Sequence, residues 1–297
     1  MNFGKLSLIL VNENAGMVWC FPVRKIEPGM LITRVKTALV LLVLGLTAIY
    51  LSGWTYFSFI TIILLLAARE YSHIYHKGGF QPNTIIILAT VSGLVLFRFL
   101  FDFQYNDAIL ALSFLISMAV HTIQNEKGRE QAPLDFALTL SAIIYFGWIG
   151  SYFISIMFLP EGQWWLLLSI AIIAFVDSGA YFIGSRFGKH TLAPRVSPKK
   201  TWEGYFGGVF FGVLGGISIG LLFHQYVPSI NLIHGLILGI ILSIITPLGD
   251  LGESMIKRQF KLKDSSNLFP GHGGAMDRID TWVWAVCISY YLIIWIF

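Results

Sequence analysis

Long apolar runs separated by short polar gaps dominate the chain from about position 35 to its end. Nine runs fall at residues 35–51, 54–68, 83–101, 107–123, 135–158, 163–184, 204–223, 229–248 and 280–297. A hydrocarbon core about 30 Å thick takes about 20 apolar residues as a helix, so the pattern predicts nine membrane spans. Ser52 and Gly53 alone separate the first two runs, which predicts a tight helical hairpin. Pro247 and Gly249 predict a break or bend at the end of the eighth. Residues 1–29 are neither apolar nor periodic. They read as a cytoplasmic tail, or as an untranslated stretch before a start at Met30. Leu6 to Val11 is too short for a signal-peptide core.

Composition agrees with the pattern. Hydrophobic residues make up 56% of the 297 and charged residues 12%, about half the charged share of a soluble domain. Mean hydropathy is +0.73. The fold class this predicts is all-α, a polytopic integral membrane protein. The net charge of +4 sets no basic domain apart, so nucleic acid is not an expected partner. Cys20 and Cys287 lie far apart, without disulfide or zinc spacing.

Charge placement gives the orientation. Of the 20 Lys and Arg residues, all but Arg98 precede the first run, sit at its very start (Lys36) or follow the second, fourth, sixth or eighth. Positive charge gathers on the cytoplasmic side, so the N-terminus is expected inside and the C-terminus outside. Arg98, near the outer end of the third run, is expected to snorkel to the interface. Gly204, Gly208, Gly212, Gly216 and Gly220 recur every four residues in the seventh run. They form a smooth stripe suited to close helix packing, inside the chain or at a dimer seam.

Two inward-facing loops carry dense polar chemistry. One is Ser197-Pro198-Lys199-Lys200-Thr201-Trp202-Glu203-Gly204; the other runs from Asp250 to Asp280. If a helix resumes after Gly249, then Asp250, Ser254 and Lys257 share one face. Asp277 and Asp280 share a face if the ninth helix has begun there. Carboxylates and hydroxyls suit a hard divalent cation; Lys257, Arg258 and Arg278 suit phosphates. Asp177 lies deep in the sixth run, where an ionisable side chain is a functional candidate. The stretch Gly184 to His190 has the wrong spacing for a phosphate-binding loop. The polar loops divide the chain into N-terminal transmembrane helices, 30–160, and a C-terminal region with cytoplasmic loops, 161–297.

The residues Ser254-x-x-Lys257-Arg258-x4-Lys263-Asp264, followed by Pro270-x-His272-Gly273-Gly274-x-x-Asp277-Arg278-x-Asp280, resemble the signature of the phosphatidate cytidylyltransferase (CDP-diglyceride synthetase) family. The stretches from Ser197 to Gly204 and from Gly249 to Ser254 also resemble that family, as does Asp177 before Tyr181 and Phe182. The likeness covers about residues 31–297; Ala275, where a bulkier apolar residue is usual, is a small departure. It implies a membrane enzyme, a homodimer, that makes CDP-diacylglycerol and pyrophosphate from CTP and phosphatidic acid drawn from the membrane lipids. It places metal-binding catalytic aspartates at Asp250 and Asp277, with Lys257 and Arg258 also catalytic. Substrate contacts would come from Ser197, Lys199, Lys200, Ser254, Lys263, His272, Gly273, Gly274, Arg278 and Asp280. Asp177 and Glu253 are further candidates. The cofactor it implies is Mg2+ or Mn2+; a monovalent cation is a further candidate, which the sequence does not decide. The implied location is a bacterial inner membrane, with the active site facing the cytoplasm. Three rivals remain. A CDP-alcohol phosphatidyltransferase needs a DGxxAR run, which is absent. The others are a CTP-dependent lipid-alcohol kinase and a cation transporter using Asp177 and Asp250.

Overall fold

A computed structural model describes the backbone of residues 28–271 and 273–297, with side chains from Val35 onward. The tail expected over 1–29 lies outside the described residues, save Pro28 and Gly29, and so do Cys20 and His272. The chain folds as helices α1 (Pro28–Leu51), α2 (Gly53–Lys77), α3 (Thr84–Phe101), α4 (Asn106–Glu126) and α5 (Ala132–Ala142). A π-helical stretch, Ile143–Ile149, leads to α6 (Tyr152–Met157) and α7 (Gly162–Phe187). A hairpin of β1 (Thr191–Ala193) and β2 (Ser197–Thr201) follows, then α8 (Trp202–His224), α9 (Leu232–Ile245), α10 (Pro247–Gln259) and α11 (Met276–Ile296).

Among the described residues, eight helices are long and apolar enough to cross a membrane. The first predicted run is helical too, but its apolar stretch, Val35–Leu51, is shorter. Helix α5, the π stretch and α6 act as one span, and α9 continues through α10 as another. Pro247 therefore opens α10 with only Thr246 between it and the end of α9, within one continuous span. Proline is tolerated there because the first N–H groups of a helix have no partner anyway. At the α1–α2 junction Ser52 has φ 54° and Gly53 φ 50°. This left-handed pair makes the hairpin that the sequence predicted.

The glycine stripe of α8 is spent inside the chain. A Cβ on Gly204 would meet Ala180 O and Gly184 of α7, and one on Gly208 would meet Val176 O. Gly216 and Gly220 instead face Gly235 of α9, backbone against backbone. Missing side chains thus let three helix axes approach closely, which brings α7 alongside α9. The loop from Ser197 to Gly204 is ordered as well: β2 pairs antiparallel with β1, and the Thr201 hydroxyl accepts from Gly204 N at 3.2 Å, capping α8. Glu203 secures the hairpin by accepting from Lys189 N at 3.0 Å and contacting His190 Nδ1 at 2.6 Å.

Arg98 does not snorkel. It is fully buried, its Nη1 donates to Ser155 Oγ at 3.1 Å, and its guanidinium lies 3.5 Å from the centre of the Phe103 ring. A delocalised cation can take an aromatic face and hydroxyls in place of water, so the interior of the bundle holds it.

Candidate active site

Helix α10 presents its polar face as the spacing predicts. Ser254 Oγ donates to Asp250 Oδ1 at 3.2 Å, and Lys257 is buried one turn further on. Asp250 also receives Lys200 Nζ at 2.6 Å from strand β2. Successive residues of a strand point to opposite sides, which is why Lys200 reaches the helix while Lys199 stays exposed. A Cβ on Gly249 would strike the Asp280 carbonyl of α11. The two helices therefore touch at their backbones, and Asp250 lies within electrostatic range of Asp280 and Asp177.

The other end of the row centres on Lys257. Its ammonium lies 2.5 Å from Asp277 Oδ1 and 2.9 Å from Glu253 Oε1. Asp277 Oδ2 accepts from Ser265 N, Ser265 Oγ and Gly274 N, each at 2.8 Å. Glu253 is only 4% exposed, yet neither oxygen accepts an aligned hydrogen bond from a described donor. Its carboxylate lies 2.9 Å from the Lys257 ammonium and near Asp277, Asp280 and Tyr145. The Lys257 ammonium is thus the cation that offsets this buried carboxylate.

Glu70 of α2 belongs to the same cluster. Its Oε1 accepts from Ser266 Oγ at 2.6 Å and Ala275 N at 3.0 Å. Its Oε2 accepts from Ser265 Oγ at 2.8 Å and Met276 N at 2.9 Å. A Cβ on Gly274 would collide with this carboxylate, so the glycine makes room for a side chain from the N-terminal half. Gly273, at φ 81°, turns the chain back toward Asp277.

Six carboxylates (Glu70, Asp177, Asp250, Glu253, Asp277 and Asp280) thus stand in one row against Lys200, Lys257 and Arg278. Among the described residues no three His, Cys, Asp or Glu side chains are arranged to hold a metal by themselves. Mg2+ commonly takes one or two protein carboxylates and completes its shell with water and phosphate oxygens. With six carboxylates against three cationic side chains, the donor set fits a cation shared with a phosphate substrate.

Other predicted residues lie at the margin. Arg258 Nε donates to Val196 O at 3.2 Å and Nη1 to Leu262 O at 2.8 Å. It ties the hairpin to the next loop, where a free phosphate-binding side chain was expected. Arg278 is exposed at the mouth and Ser197 is half-buried in β2. Lys263 lines a polar recess of about 150 Å3 with Asp264, Asn267, Phe269 and Gly273. Asp177 is open to the surface, and no described hydrogen bond ties it to Ser178 or Tyr181. Asp280 Oδ1 accepts from Thr281 N at 2.8 Å, while its carbonyl accepts from Tyr145 in the π-helical stretch at 3.2 Å.

A bundle of apolar helices with acids and lysines gathered at one common end defines a polytopic membrane enzyme rather than a passive scaffold. The sequence model of the cytidylyltransferase family matches residues 32–296, and the chain belongs to that family. It is similar to the phosphatidate cytidylyltransferase of Bacillus subtilis strain 168, 35% identical over 209 residues, covering 67% of this chain and 76% of the relative. It is also similar to those of a Synechocystis strain (28% identical, 88% of this chain, 96% of the relative) and of Staphylococcus haemolyticus (30% identical, 88% and 98%).

Proposed function

We propose that this chain is a phosphatidate cytidylyltransferase, converting CTP and phosphatidic acid to CDP-diacylglycerol and pyrophosphate. The observation that carries the reading is the row of carboxylates interleaved with Lys200 and Lys257 at the shared end of α7, α10 and α11. There a water-borne triphosphate and a bilayer-borne phosphate can meet. A phosphate oxygen of the lipid attacks the α-phosphorus of CTP and forms the new P–O bond. The bond to the β-phosphate breaks, and its electrons leave with pyrophosphate. The nucleophile is already an anion, so the residues have to gather and neutralise charge more than move protons. Lys257 and Lys200, now shared with carboxylates, can turn toward phosphate oxygens, and Arg278 meets them at the mouth. The recess beside Lys263, Asn267 and Gly273 opens next to Asp277 and has room for part of a nucleotide. Asp250 and Asp277 would hold Mg2+ or Mn2+, whose chemistry is to neutralise the crowded phosphates; a monovalent cation fits the surplus of carboxylates.

Radiolabelled CTP and phosphatidic acid in detergent micelles test this directly. The expected products are labelled CDP-diacylglycerol and pyrophosphate in equal amounts. Transfer of the CTP γ-phosphate to a lipid alcohol would instead make the chain a lipid kinase. Cation flux in vesicles without any lipid product would make it a transporter.

The proposal extends to a homodimer in a bacterial inner membrane, with the site facing the cytoplasm and the C-terminus outside. The orientation and location are supported by the distribution of Lys and Arg and by the bacterial source of the similar proteins; the homodimer follows from the family resemblance alone. A phosphatase fused after Phe297 is expected to be active in the periplasm. A phosphatase silent there, with a fluorescent reporter bright at the same position, would reverse the orientation.

A further inference from the structure

Helix α11 carries Asp277, Arg278 and Asp280, but it starts without a cap of its own. The residue before it is Ala275, whose side chain makes no capping hydrogen bond. The first N–H groups of a helix need acceptors and carry partial positive charge. Here the acceptor comes from α2, about two hundred positions earlier in the chain: Glu70 takes the N–H groups of Ala275 and Met276 and the hydroxyls of Ser265 and Ser266. We propose that Glu70 is a positioning residue for the transfer reaction, holding the start of α11 and the Ser265–Ser266 turn so that Asp277 keeps its working placement. The inference rests on the functional reading above.

Two features separate this from an ordinary helix anchor. Ser265 Oγ lies 2.8 Å from Glu70 Oε2 and equally 2.8 Å from Asp277 Oδ2. One hydroxyl proton serves two carboxylates, so a change at Glu70 is felt at Asp277 through a single atom. Glu70 is also buried, and all four of its described hydrogen bonds go to groups of the chain itself, so it acts by holding them. Its four donors all need an acceptor. A glutamine would supply one oxygen and, whichever way it is set, turn its NH2 toward a backbone N–H that can only donate. An aspartate keeps both oxygens and the charge at slightly shorter reach.

The test compares the purified full chain with Glu70→Gln, Glu70→Asp and Ser265→Ala. Steady-state kinetics with CTP and phosphatidic acid give kcat and KM. Hydrogen exchange of the 265–277 segment is followed in metal-free protein. Glu70→Gln is expected to lower kcat at least about tenfold, the loss of one good charge-assisted contact, with the KM for CTP within about threefold. Exchange at Ala275 and Met276 should quicken while the remaining spans exchange as in the wild type. Glu70→Asp should recover kcat to several-fold above Glu70→Gln. Ser265→Ala, which leaves no buried unpaired charge, should lower kcat by about fivefold and serves as the deciding variant if Glu70→Gln fails to insert. Wild-type kcat in Glu70→Gln, or in Ser265→Ala where that variant decides, overturns the proposal. So does a loss that merely tracks the amount of folded protein, with exchange of the segment unchanged. In either case the wild type still makes CDP-diacylglycerol. Failure of the functional reading would show instead as a wild type without that product.

Discussion

Asp277→Asn is expected to give an inserted, folded protein whose turnover has fallen by about a hundredfold or more, since cation and phosphate handling supplies several kcal/mol to such a transition state. The hydrogen bonds explain why the fold should survive. Asparagine can set its one oxygen where Oδ2 lies and keep the donors from Gly274 N, Ser265 N and Ser265 Oγ. Its NH2 must then face Lys257 Nζ, so two donors oppose each other where an ion pair stood. The turn remains and the charge is gone. Turnover measured across a Mg2+ titration checks this, and raised Mg2+ should restore only part of the loss. Turnover near wild type with unchanged Mg2+ dependence would reduce Asp277 to the cap of a turn and remove it from the cation site.

The helices were legible because the bilayer imposes a length. A run such as 83–101 has one solution, and α3 occupies Thr84–Phe101. The polar face of α10 was legible for a similar reason, since 3.6-residue periodicity alone puts Asp250, Ser254 and Lys257 together. What escaped was information that no local pattern carries. Helix α2 runs on to Lys77, well past the apolar run that ends near residue 68, because Tyr71, Ser72 and Ile74 are buried against neighbouring helices. Glu70 sits in that extension, beside Arg69, and reads as one more charge in a cytoplasmic gap. Only the fold brings it to Ala275. The sole local hint was Ala275 itself, a helix start with no capping side chain.

The two lysines of Ser197-Pro198-Lys199-Lys200 show a second limit. They are equivalent as sequence, and a five-residue strand with a proline inside it, paired to one of three residues, gives too little alternation to announce a hairpin. Once β2 forms, the pleat sends Lys200 to Asp250 and leaves Lys199 outside. Arg258 follows the same logic in reverse. Its position next to Lys257 suggested a shared role, but one residue is about 100° of rotation on a helix. That turn carries its guanidinium to Val196 O and Leu262 O, so it braces the hairpin that delivers Lys200.

Lys257→Met should abolish more than a hundredfold of the turnover and destabilise the protein in the same step. Lys257 is 7% exposed and is the cation between Glu253 and Asp277. Methionine fills much of the same volume but leaves two buried carboxylates facing each other. Removing one partner of a buried ion pair costs about 3–5 kcal/mol, and all three side chains of this group are buried. Activity loss alone would not separate a phosphate-binding lysine from a structural counter-ion. The double variant Lys257→Met with Glu253→Gln does, because it removes the repulsion without returning the cation. Coupling between touching charges is commonly about 0.5–3 kcal/mol, so the melting temperature should recover by several degrees. Turnover should not recover, since no ammonium is left to pass from Asp277 to a phosphate oxygen. If turnover returns together with stability, Lys257 serves only to neutralise its neighbours, and phosphate handling at that end of the row falls to Lys200 and Arg278.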